Sequence, residues 1–250
     1  MKITLSGQLE SITRYPVKSF AGEGLGMAYV SRQGIEFDRQ YAIVDAETGR
    51  LANAKNAKQW PAMYFYRSHC LDTLLSPVQL PHVRITLPDG SSVASSDHDA
   101  SLRLSRAFNR QVQLRSACEE ATRGEWNSFV DIAPIHLVTT ASLAMLSDAG
   151  LPLEEGAIRF RPNLVIDTRF QRGFVENRWI GKVVSVGGVR LRVVDGTRRC
   201  ARITLRQPTS EKNPGLFEHI LKVNGGKLGV YAEVLKPGFI QVGDAVILHE

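Results

Sequence analysis

Cys200 is the residue of this sequence best suited to chemistry, because it stands among basic side chains. Nearby cations favour the thiolate, which is the form of cysteine that acts as a nucleophile or as a metal ligand. The other two cysteines lack this setting, since Cys70 follows His69 and Cys118 lies in the acidic segment 116–121. The arginines within two positions of Cys200 are Arg198, Arg199 and Arg202.

The cysteine and histidine content excludes several kinds of metal site. Three cysteines, none of them in a Cys-x-x-Cys pair, exclude a disulfide framework and a four-thiolate zinc or iron–sulfur site within this chain. The six histidines show no metal-ligand spacing, and we interpret them as surface or core residues. The sequence also lacks the motifs of P-loop proteins, zinc peptidases, α/β-hydrolases and Rossmann-type dehydrogenases. Any special role for cysteine therefore belongs to a single thiol.

Basic and small polar residues gather in sharp turns at the ends of predicted strands. Lysine and arginine in such places, with serine and asparagine donors beside them, can bind a phosphate and a polar heterocycle together. The alternative interpretation is that each is a solvated charge of a turn with little packing. Four segments have this character: 15–19, 38–39, 159–163 and 198–202.

The elements that must position these turns are mostly short strands in the first half of the chain. Alternating apolar residues, separated by glycine-rich turn signals, predict strands over the first 95 residues. A helix is predicted over Ala100–Phe108 and marks the best domain boundary. The segment 116–128 is predicted as a loop. The predicted strands cover 3–15, 25–30, 37–45, 62–66 and 83–87.

The second half of the chain combines further strands with short helices. The clearest hairpin joins residues 183–186 to residues 189–194 through Gly187 and Gly188. The C-terminal segment predicts two strands around Pro237. Short strands at a spacing of about 8–12 residues, with few helices, favour a barrel over a doubly wound sheet. The other predicted elements are strands over 134–139 and after Pro162 and helices over 142–148 and 214–221.

Length and composition describe an ordinary globular chain. Its 250 residues suit one large domain or two modest ones. The net charge of +6 favours an anionic partner, but aromatic residues do not interleave with the basic clusters as a nucleic-acid platform requires. No apolar run approaches the ~20 residues of a membrane helix, and the N-terminus lacks a signal-peptide core. We therefore expect a soluble, cytoplasmic protein with no nucleic-acid or membrane partner.

Six short motifs, in order, resemble those of MOSC-domain proteins, in the branch that includes the mitochondrial amidoxime-reducing component and its bacterial relatives. The resemblance implies a mainly β fold with short helices, of the α+β class, in which a MOSC β-barrel follows a smaller β-rich domain. With the predicted helix as the boundary, these domains are residues 1–95 and 96–250. The motifs are YPVKS, DRQYAIVD, TTASL, RFRPN, an RC dipeptide followed by ITL, and GVYAEV with VGDAVIL.

The resemblance also implies a molybdenum cofactor, in which the dithiolene of a phosphate-bearing pyranopterin holds the metal. In the family one cysteine thiolate ligates the metal, and Cys200 matches it. Lys18 and Ser19 match residues that hold the cofactor phosphate or pterin, and Arg39 matches the family's arginine. Thr140, which we expect to be catalytic, lies in a turn near the pterin or the substrate. The remaining cofactor-binding residues that the resemblance implies are Thr139, Ser142, Arg161, Asn163 and Arg199.

Two departures from the family pattern bear on the substrate. Family members often carry an acid where Thr140 stands, so a carboxylate on the substrate side is missing at this position. The segment after the cysteine commonly reads TxDPxTG, whereas here Thr204 is followed by Leu205 and Arg206. Because Arg206 reverses a charge beside the site, these departures concern substrate choice more than cofactor binding.

The resemblance predicts a molybdenum-dependent oxidoreductase that removes oxygen from N-hydroxylated compounds such as hydroxylamines and amidoximes. Electrons are expected from a separate protein of the ferredoxin or flavin-reductase type, because the chain ends at Glu250 with no spare cysteines for an iron–sulfur cluster. No role for pyridoxal phosphate is expected. An alternative is a carrier of molybdenum cofactor or of sulfur that uses Cys200, and metal content with turnover separates the two.

Overall fold

The computed structural model divides the chain into two compact units. The barrel unit comprises Met1–Thr13, Gly24–Glu36 and Ile132–Glu250, and the inserted unit comprises Arg14–Glu23 and Phe37–Asp131. The residues that the structure describes are 3–54, 56, 58–60, 62–71, 80–122, 128–130, 132–147, 150–151, 153–168 and 170–250.

Strands dominate both units, so the prediction of a mainly β chain with short helices is confirmed. The strands, in chain order, are β1 (Ile3–Arg14), β2 (Glu23–Leu25), β3 (Met27–Ser31), β4 (Gly34–Ile35), β5 (Tyr41–Asp45), β6 (Arg67–Cys70), β7 (Val83–Thr86), β8 (Ser92–Ala94), β9 (Val112–Ser116), β10 (Ile135–Thr139), β11 (Leu164–Asp167), β12 (Val183–Val186), β13 (Val189–Arg198), β14 (Lys227–Lys236), β15 (Gly238–Gln241) and β16 (Ala245–His249). The α-helices are α1 (Ala100–Phe108), α2 (Ala117–Thr122), α3 (Thr140–Ala144), α4 (Leu153–Phe160) and α5 (Leu216–Asn224). Short 3-10 helices cover Met63–Phe65, Val175–Trp179 and Ala201–Thr204.

Seven strands of the barrel unit close into a barrel within the described part of the chain. Neighbouring strands follow the order β11, β10, β14, β13, β12, β16 and β1, and β1 pairs again with β11. The ring closes through antiparallel partners such as Ile12 and Leu164. In β13 every second residue from Val189 to Val193 is buried and those between are exposed, so the apolar face of this strand lines the interior.

β10 is buried on both faces and carries the barrel unit's part of the candidate site. Ile135 and Leu137 belong to the barrel core. Val138 belongs instead to an outer cluster that includes Phe160 of α4 and Leu228 of β14. A strand covered on both sides lacks solvent-facing polar positions, and all five residues of β10 are buried.

An aromatic stack holds the inserted unit together around α1. Phe108, at the end of this helix, stacks on Tyr66 with ring centroids 4.4 Å apart, and Phe20 stacks on Tyr66 at 5.0 Å. Leu104 of α1 is fully buried in the same core. The strand after the helix, β9, pairs along its whole length with β5.

The helix predicted as the domain boundary therefore belongs with the strands that precede it. α1 has the predicted bounds, but residues 96–131 group with residues 37–95. The physical reason is that Leu104 and Phe108 complete the core of the inserted unit while β9 pairs with β5. The structure thus places the division after residue 131 rather than after residue 95.

Three local predictions differ from the structure. The predicted strand over 62–66 contains a 3-10 helix, since the backbone N–H of Phe65 donates locally to the carbonyl of Ala62 at 2.9 Å. Helix α2 occupies part of the predicted loop over 116–128, whose residues 123–127 lie outside the described ones. The C-terminal segment forms three strands rather than two, because β14 and β16 join the barrel while β15 pairs with β3.

The remaining helices are short and close to their predicted places. α3 begins two residues before the predicted segment 142–148 and ends at Ala144, and residue 148 lies outside the described ones. α5 starts two residues later than predicted and ends at Asn224. None of the helices that the structure describes is long and apolar enough to cross a membrane.

Candidate functional site

Two of the sequence motifs lie side by side in the inserted unit. The backbone N–H of Arg39 donates to Tyr15 O at 2.8 Å, and that of Tyr41 donates to Pro16 O at 3.0 Å. In the other direction, the N–H of Lys18 donates to Tyr41 O at 2.8 Å. This ladder holds the YPVKS segment against the DR segment, although the two are about twenty residues apart in the sequence.

The backbone of Phe129 forms hydrogen bonds with both of these motifs. Its carbonyl accepts a hydrogen bond from Lys18 Nζ at 2.7 Å, and its N–H donates to Arg39 O at 3.2 Å. The Arg39 guanidinium pairs with the buried carboxylate of Asp38 and lies 5.1 Å above the ring of Tyr15. The backbone of Phe129 thus joins the ammonium group of Lys18 to the main chain at Arg39.

The interpretation of these residues as turn charges with little packing is wrong. Lys18 is 8% exposed and Ser19 is 9% exposed, and the side chain of Arg39 is 16% exposed. The Ser19 hydroxyl accepts a hydrogen bond from the N–H of Ala54 at 3.4 Å. Burial of cationic and hydroxyl groups costs free energy unless they are paired, so these residues are built into the unit.

Backbone strain coincides with the predicted site residues. Among the described residues, five other than glycine have a positive φ, and three of these are predicted cofactor residues. They are Ser19 at 69°, Arg39 at 52° and Arg161 at 55°. The left-handed conformation costs a residue with a Cβ about 1–2 kcal/mol. Strain of this kind clusters at functional sites, where the surrounding structure maintains it.

Cys200 follows β13 in the barrel unit and is an exposed, free thiol. The side chain of the preceding residue, Arg199, packs against other parts of the barrel unit. The Arg199 guanidinium donates to Leu228 O at 3.0 Å through Nε and to Phe160 O at 3.3 Å through Nη1, and it lies 5.1 Å above the Phe160 ring. These contacts fix the backbone immediately before the thiol.

Arg159 fixes the segment after the thiol. The side chain of this arginine, which ends α4, is only 2% exposed. Nη1 donates to Ile203 O at 2.7 Å and to Leu205 O at 2.9 Å, and Nη2 donates to Ser210 Oγ at 2.5 Å and to Glu211 O at 2.7 Å. The sequence indicated Arg159 only as part of the RFRPN turn, since its partners lie more than forty residues away.

His136 joins the Cys200 segment to the start of β11. Its Nε2 accepts from Arg199 Nη2 at 2.6 Å, and its Nδ1 donates to Arg161 O at 3.3 Å. Its backbone N–H donates to Asn163 Oδ1 at 3.2 Å, and Asn163 is 1% exposed. The structure therefore joins three of the predicted residues, Arg161, Asn163 and Arg199, through His136, which was not predicted as a site residue. Cys200 follows Arg199 directly in the chain.

The predicted hydroxyl residues of the TTASL motif lie at the other end of β10 and bind a buried acid. Thr139 Oγ1 and Ser142 Oγ each donate to Glu176 Oε2 at 2.6 Å, and all three side chains are fully buried. Burial raises the pKa of Glu176 from 4.5. No local pattern in the sequence indicates this glutamate, which lies 34 residues beyond Ser142.

Thr140 lies beside the carboxylate of Asp167, which is not part of the motifs that resemble the family. Its hydroxyl donates to Asp167 Oδ1 at 3.3 Å and accepts from the N–H of Thr168 at 3.1 Å. Burial, and then the charge of Asp167, raise the pKa of nearby Glu10, which stands at a bulge of β1. An acid is therefore present next to Thr140, on the neighbouring strand β11.

Arg202 lies two residues beyond Cys200 in the sequence. Burial lowers the pKa of Arg202 to about 10, so its guanidinium remains protonated at neutral pH. Arg206 pairs with Glu211 at 3.4 Å, and both side chains are mostly exposed. Within the described ranges, no three His, Cys, Asp or Glu side chains converge on a point where they could hold a metal ion.

We expect Glu176→Gln to remove a pH dependence of stability. Because the folded-state pKa of Glu176 is raised, the unfolded chain ionises first as the pH rises above 4.5, and the free energy of unfolding falls until the folded-state pKa is passed. The loss is at most about 1.4 kcal/mol per pH unit in that window. Denaturant unfolding at pH 4.5 and pH 8 should show Glu176→Gln gaining stability relative to the native protein at the higher pH.

The exposed Glu211 is the matched control for this prediction, because its side chain is 84% exposed. Glu211→Gln should change stability equally at both pH values. A difference between native protein and Glu176→Gln that is the same at pH 4.5 and pH 8 contradicts the prediction.

Two protein families match this chain, and together they cover residues 6–247. The MOSC domain family matches residues 124–247, and the MOSC N-terminal beta barrel domain family matches residues 6–130. Human molybdenum cofactor sulfurase is 30% identical over 280 residues, which cover 93% of this chain and 31% of that protein. The corresponding protein of Drosophila melanogaster is 24% identical over 250 residues, covering 91% of this chain and 32% of the relative.

The chain thus spans about a third of the length of these curated relatives. Among solved structures, the YuaD protein of Bacillus subtilis has a similar fold, with a TM-score of 0.51 and 14% sequence identity over 100% of this chain and 98% of that one. Both domain matches follow in the order that the sequence motifs predict. The chain therefore belongs to the MOSC-domain family and carries the N-terminal beta barrel domain ahead of its MOSC domain.

Proposed function

We propose that this protein is a molybdenum-cofactor-dependent reductase of N-hydroxylated compounds such as hydroxylamines and amidoximes. Membership of the MOSC-domain family and similarity to molybdenum cofactor sulfurases support a role connected with this cofactor. The observation that carries the proposal is the exposed, free thiol of Cys200, on a segment held from one side by Arg199 and from the other by Arg159.

The residues present fit the cofactor in the chemistry of their donors. Cysteine sulfur is a soft ligand that suits a redox metal, and Cys200 is an exposed cysteine two residues before Arg202 in the sequence. We assign the cofactor phosphate to Lys18, Ser19 and Arg39, whose ammonium, hydroxyl and guanidinium groups form hydrogen bonds to anionic oxygen. When bound, the cofactor would supply the two-electron chemistry that breaks the N–O bond.

The net reaction is R–NH–OH + 2 e⁻ + 2 H⁺ → R–NH₂ + H₂O. The N–O bond breaks, the oxygen leaves as water, and a separate ferredoxin- or flavin-type protein supplies the electrons. We assign Thr140 and Asp167 to the substrate side, where the hydroxyl and the carboxylate orient the N-hydroxyl group through hydrogen bonds. Arg161 and Asn163 remain assigned to the cofactor.

A sulfur or cofactor carrier is the second candidate function. An exposed free thiol such as that of Cys200 can hold a persulfide as well as ligate a metal. Similarity to human molybdenum cofactor sulfurase favours this alternative over other thiol chemistry. The two candidates differ in whether metal and turnover accompany the thiol.

The decisive experiment measures molybdenum and pterin per chain in the purified protein, followed by reduction of benzamidoxime with a chemically reduced viologen as donor. Stoichiometric molybdenum with turnover supports the reductase. A persulfide on Cys200 without molybdenum and without turnover supports the carrier. Turnover with NADH alone, in the absence of any flavin or iron–sulfur protein, contradicts the requirement for a separate electron donor.

Arg161→Gly is expected to keep the fold and to lose cofactor. Glycine adopts the positive φ of this position without the steric cost, so the free energy of unfolding should stay the same or rise by about 1 kcal/mol. Loss of one charge-assisted contact to the cofactor should lower its affinity about tenfold or more. Molybdenum content and thermal unfolding of the same preparation check both parts.

Asn109→Gly is the matched control, because Asn109 has a φ of 49° at the C-terminal cap of α1 and no assigned role in the site. It should retain the molybdenum content of the native protein. Full molybdenum content in Arg161→Gly, or a large loss of its stability, argues against the assignment of this arginine to the cofactor.

A further inference from the structure

The imidazole of His136 lies between the two segments of the barrel unit that carry predicted cofactor residues. It is 5% exposed, and its ring centroid lies 5.6 Å from that of Tyr231. One ring nitrogen faces the guanidinium of Arg199, at 2.6 Å from Nη2, and the other faces the carbonyl of Arg161, at 3.3 Å. The histidine thus contacts the residue before Cys200 and the strained residue before β11.

These two contacts require opposite hydrogen-bonding roles. A guanidinium only donates and a carbonyl only accepts, so His136 must accept at Nε2 and donate at Nδ1. Neutral imidazole in the Nδ1–H tautomer meets both demands at once. An apolar ring of the same size meets neither.

The backbone of β14 leaves room for this ring. Gly229 has a φ of 76°, and a Cβ added there would lie 2.6 Å from His136 Nε2 and 2.6 Å from Leu137 O. A side chain at this position would therefore displace the ring from Arg199. Gly229 on β14 therefore leaves the space for the ring of His136 on the adjacent strand β10, and the ring provides one acceptor and one donor.

We propose that His136 is a positioning residue, which ties the carbonyl of Arg161 to the guanidinium of Arg199 and so holds Cys200 in a fixed place relative to Arg161. The inference rests on the proposed use of Cys200 as the reactive thiol. It concerns only residues of this chain, and its test needs no cofactor. It holds equally for a thiol that ligates metal and for one that carries sulfur.

The test compares how fast Cys200 reacts with iodoacetate and with iodoacetamide in the cofactor-free protein, followed by peptide mass spectrometry. Both reagents alkylate the thiolate, but only iodoacetate is anionic, so the ratio of the two rates reports the positive potential at the sulfur. Cys118, which is exposed on α2, is an internal control in every sample. In the native protein the ratio should be higher at Cys200 than at Cys118.

His136→Phe should lower the ratio at Cys200 by up to roughly threefold, because the ring no longer fixes the Arg199 guanidinium, which keeps its bonds to Leu228 O and Phe160 O. The ratio at Cys118 should stay unchanged. His136→Gln, whose amide keeps an acceptor for Arg199, should restore most of the ratio. Arg199→Gln, which removes the charge itself, should lower the ratio at least as far as His136→Phe does, and it serves in place of that variant if His136→Phe fails to fold.

An unchanged ratio in His136→Phe, or in Arg199→Gln if that variant takes its place, overturns the proposal. So does a ratio in His136→Gln as low as that in the phenylalanine variant, because a merely structural role for the ring predicts no rescue by an amide. Absence of molybdenum from the native protein would contradict the proposed reductase but would not affect the test of His136, because the alkylation rates are measured without cofactor.

Discussion

Cys200→Ser is expected to lower reduction of N-hydroxylated substrate at least about a hundredfold, with molybdenum content falling in the same preparation. A serine hydroxyl stays protonated at neutral pH and is a hard oxygen donor, so it cannot replace a soft thiolate on a redox metal. Because Cys200 is exposed, the substitution should change the free energy of unfolding by no more than about 0.5 kcal/mol. Metal analysis, viologen-driven turnover and denaturant unfolding provide the three measurements.

Cys118→Ser is the matched control for this variant, since it also replaces an exposed, free cysteine. It should keep full molybdenum content and turnover. If Cys200→Ser retained both, the metal would have to be held without this thiol, and both the reductase assignment and the sulfur-carrier alternative would lose their central residue.

Arg159→Lys is expected to lower the free energy of unfolding by about 3 kcal/mol, the largest stability effect among the substitutions considered. The Arg159 guanidinium reaches four acceptors in different directions while only 2% exposed. A lysine ammonium is a point donor and cannot reach all four, so at least two carbonyls or hydroxyls would lose a charge-assisted bond. Denaturant unfolding measures the loss.

The same variant should also loosen the segment after Cys200. We expect limited proteolysis within residues 201–211 to become faster in Arg159→Lys, because the carbonyls of Ile203, Leu205 and Glu211 are the groups that the arginine holds. Arg106→Lys, at an exposed position in the last turn of α1, is the control and should change neither stability nor cleavage. Equal stability of the two variants would show that Arg159 does not hold this segment.

Local sequence patterns predicted those elements whose bonds are local. The β12–β13 hairpin was predicted because Gly187 and Gly188 form its turn and the second strand alternates strictly. α1 was predicted with its bounds because its apolar spacing is helical. α4 was not predicted, because it contains Gly156 and is followed directly by Arg161, where a positive φ ordinarily calls for glycine or asparagine.

The candidate site was predictable in residue type but not in its supporting contacts. Lys18 and Arg39 were identified from their motifs, but each forms a hydrogen bond with the backbone of Phe129, about ninety to a hundred and ten positions away. Glu176 and Arg159 form their bonds to residues 34–52 positions distant, which no local pattern reveals. The carboxylate missing at position 140 is present as Asp167 because β10 and β11 are parallel neighbours.

The backbone hydrogen bonds of Phe129 have a consequence for how proteins of this family can be divided or recombined. Phe129 lies in the stretch 124–130 that the two family domains share, yet its N–H donates to Arg39 O and its carbonyl accepts from Lys18 Nζ. A fragment cut at residue 95 discards Phe129 and separates the Lys18 ammonium from its carbonyl acceptor. A chimaera that exchanges the MOSC domain at residue 131 keeps the hydrogen bond between Lys18 and Phe129 intact. The junction for exchanging domains should therefore lie after Phe129 and not before it.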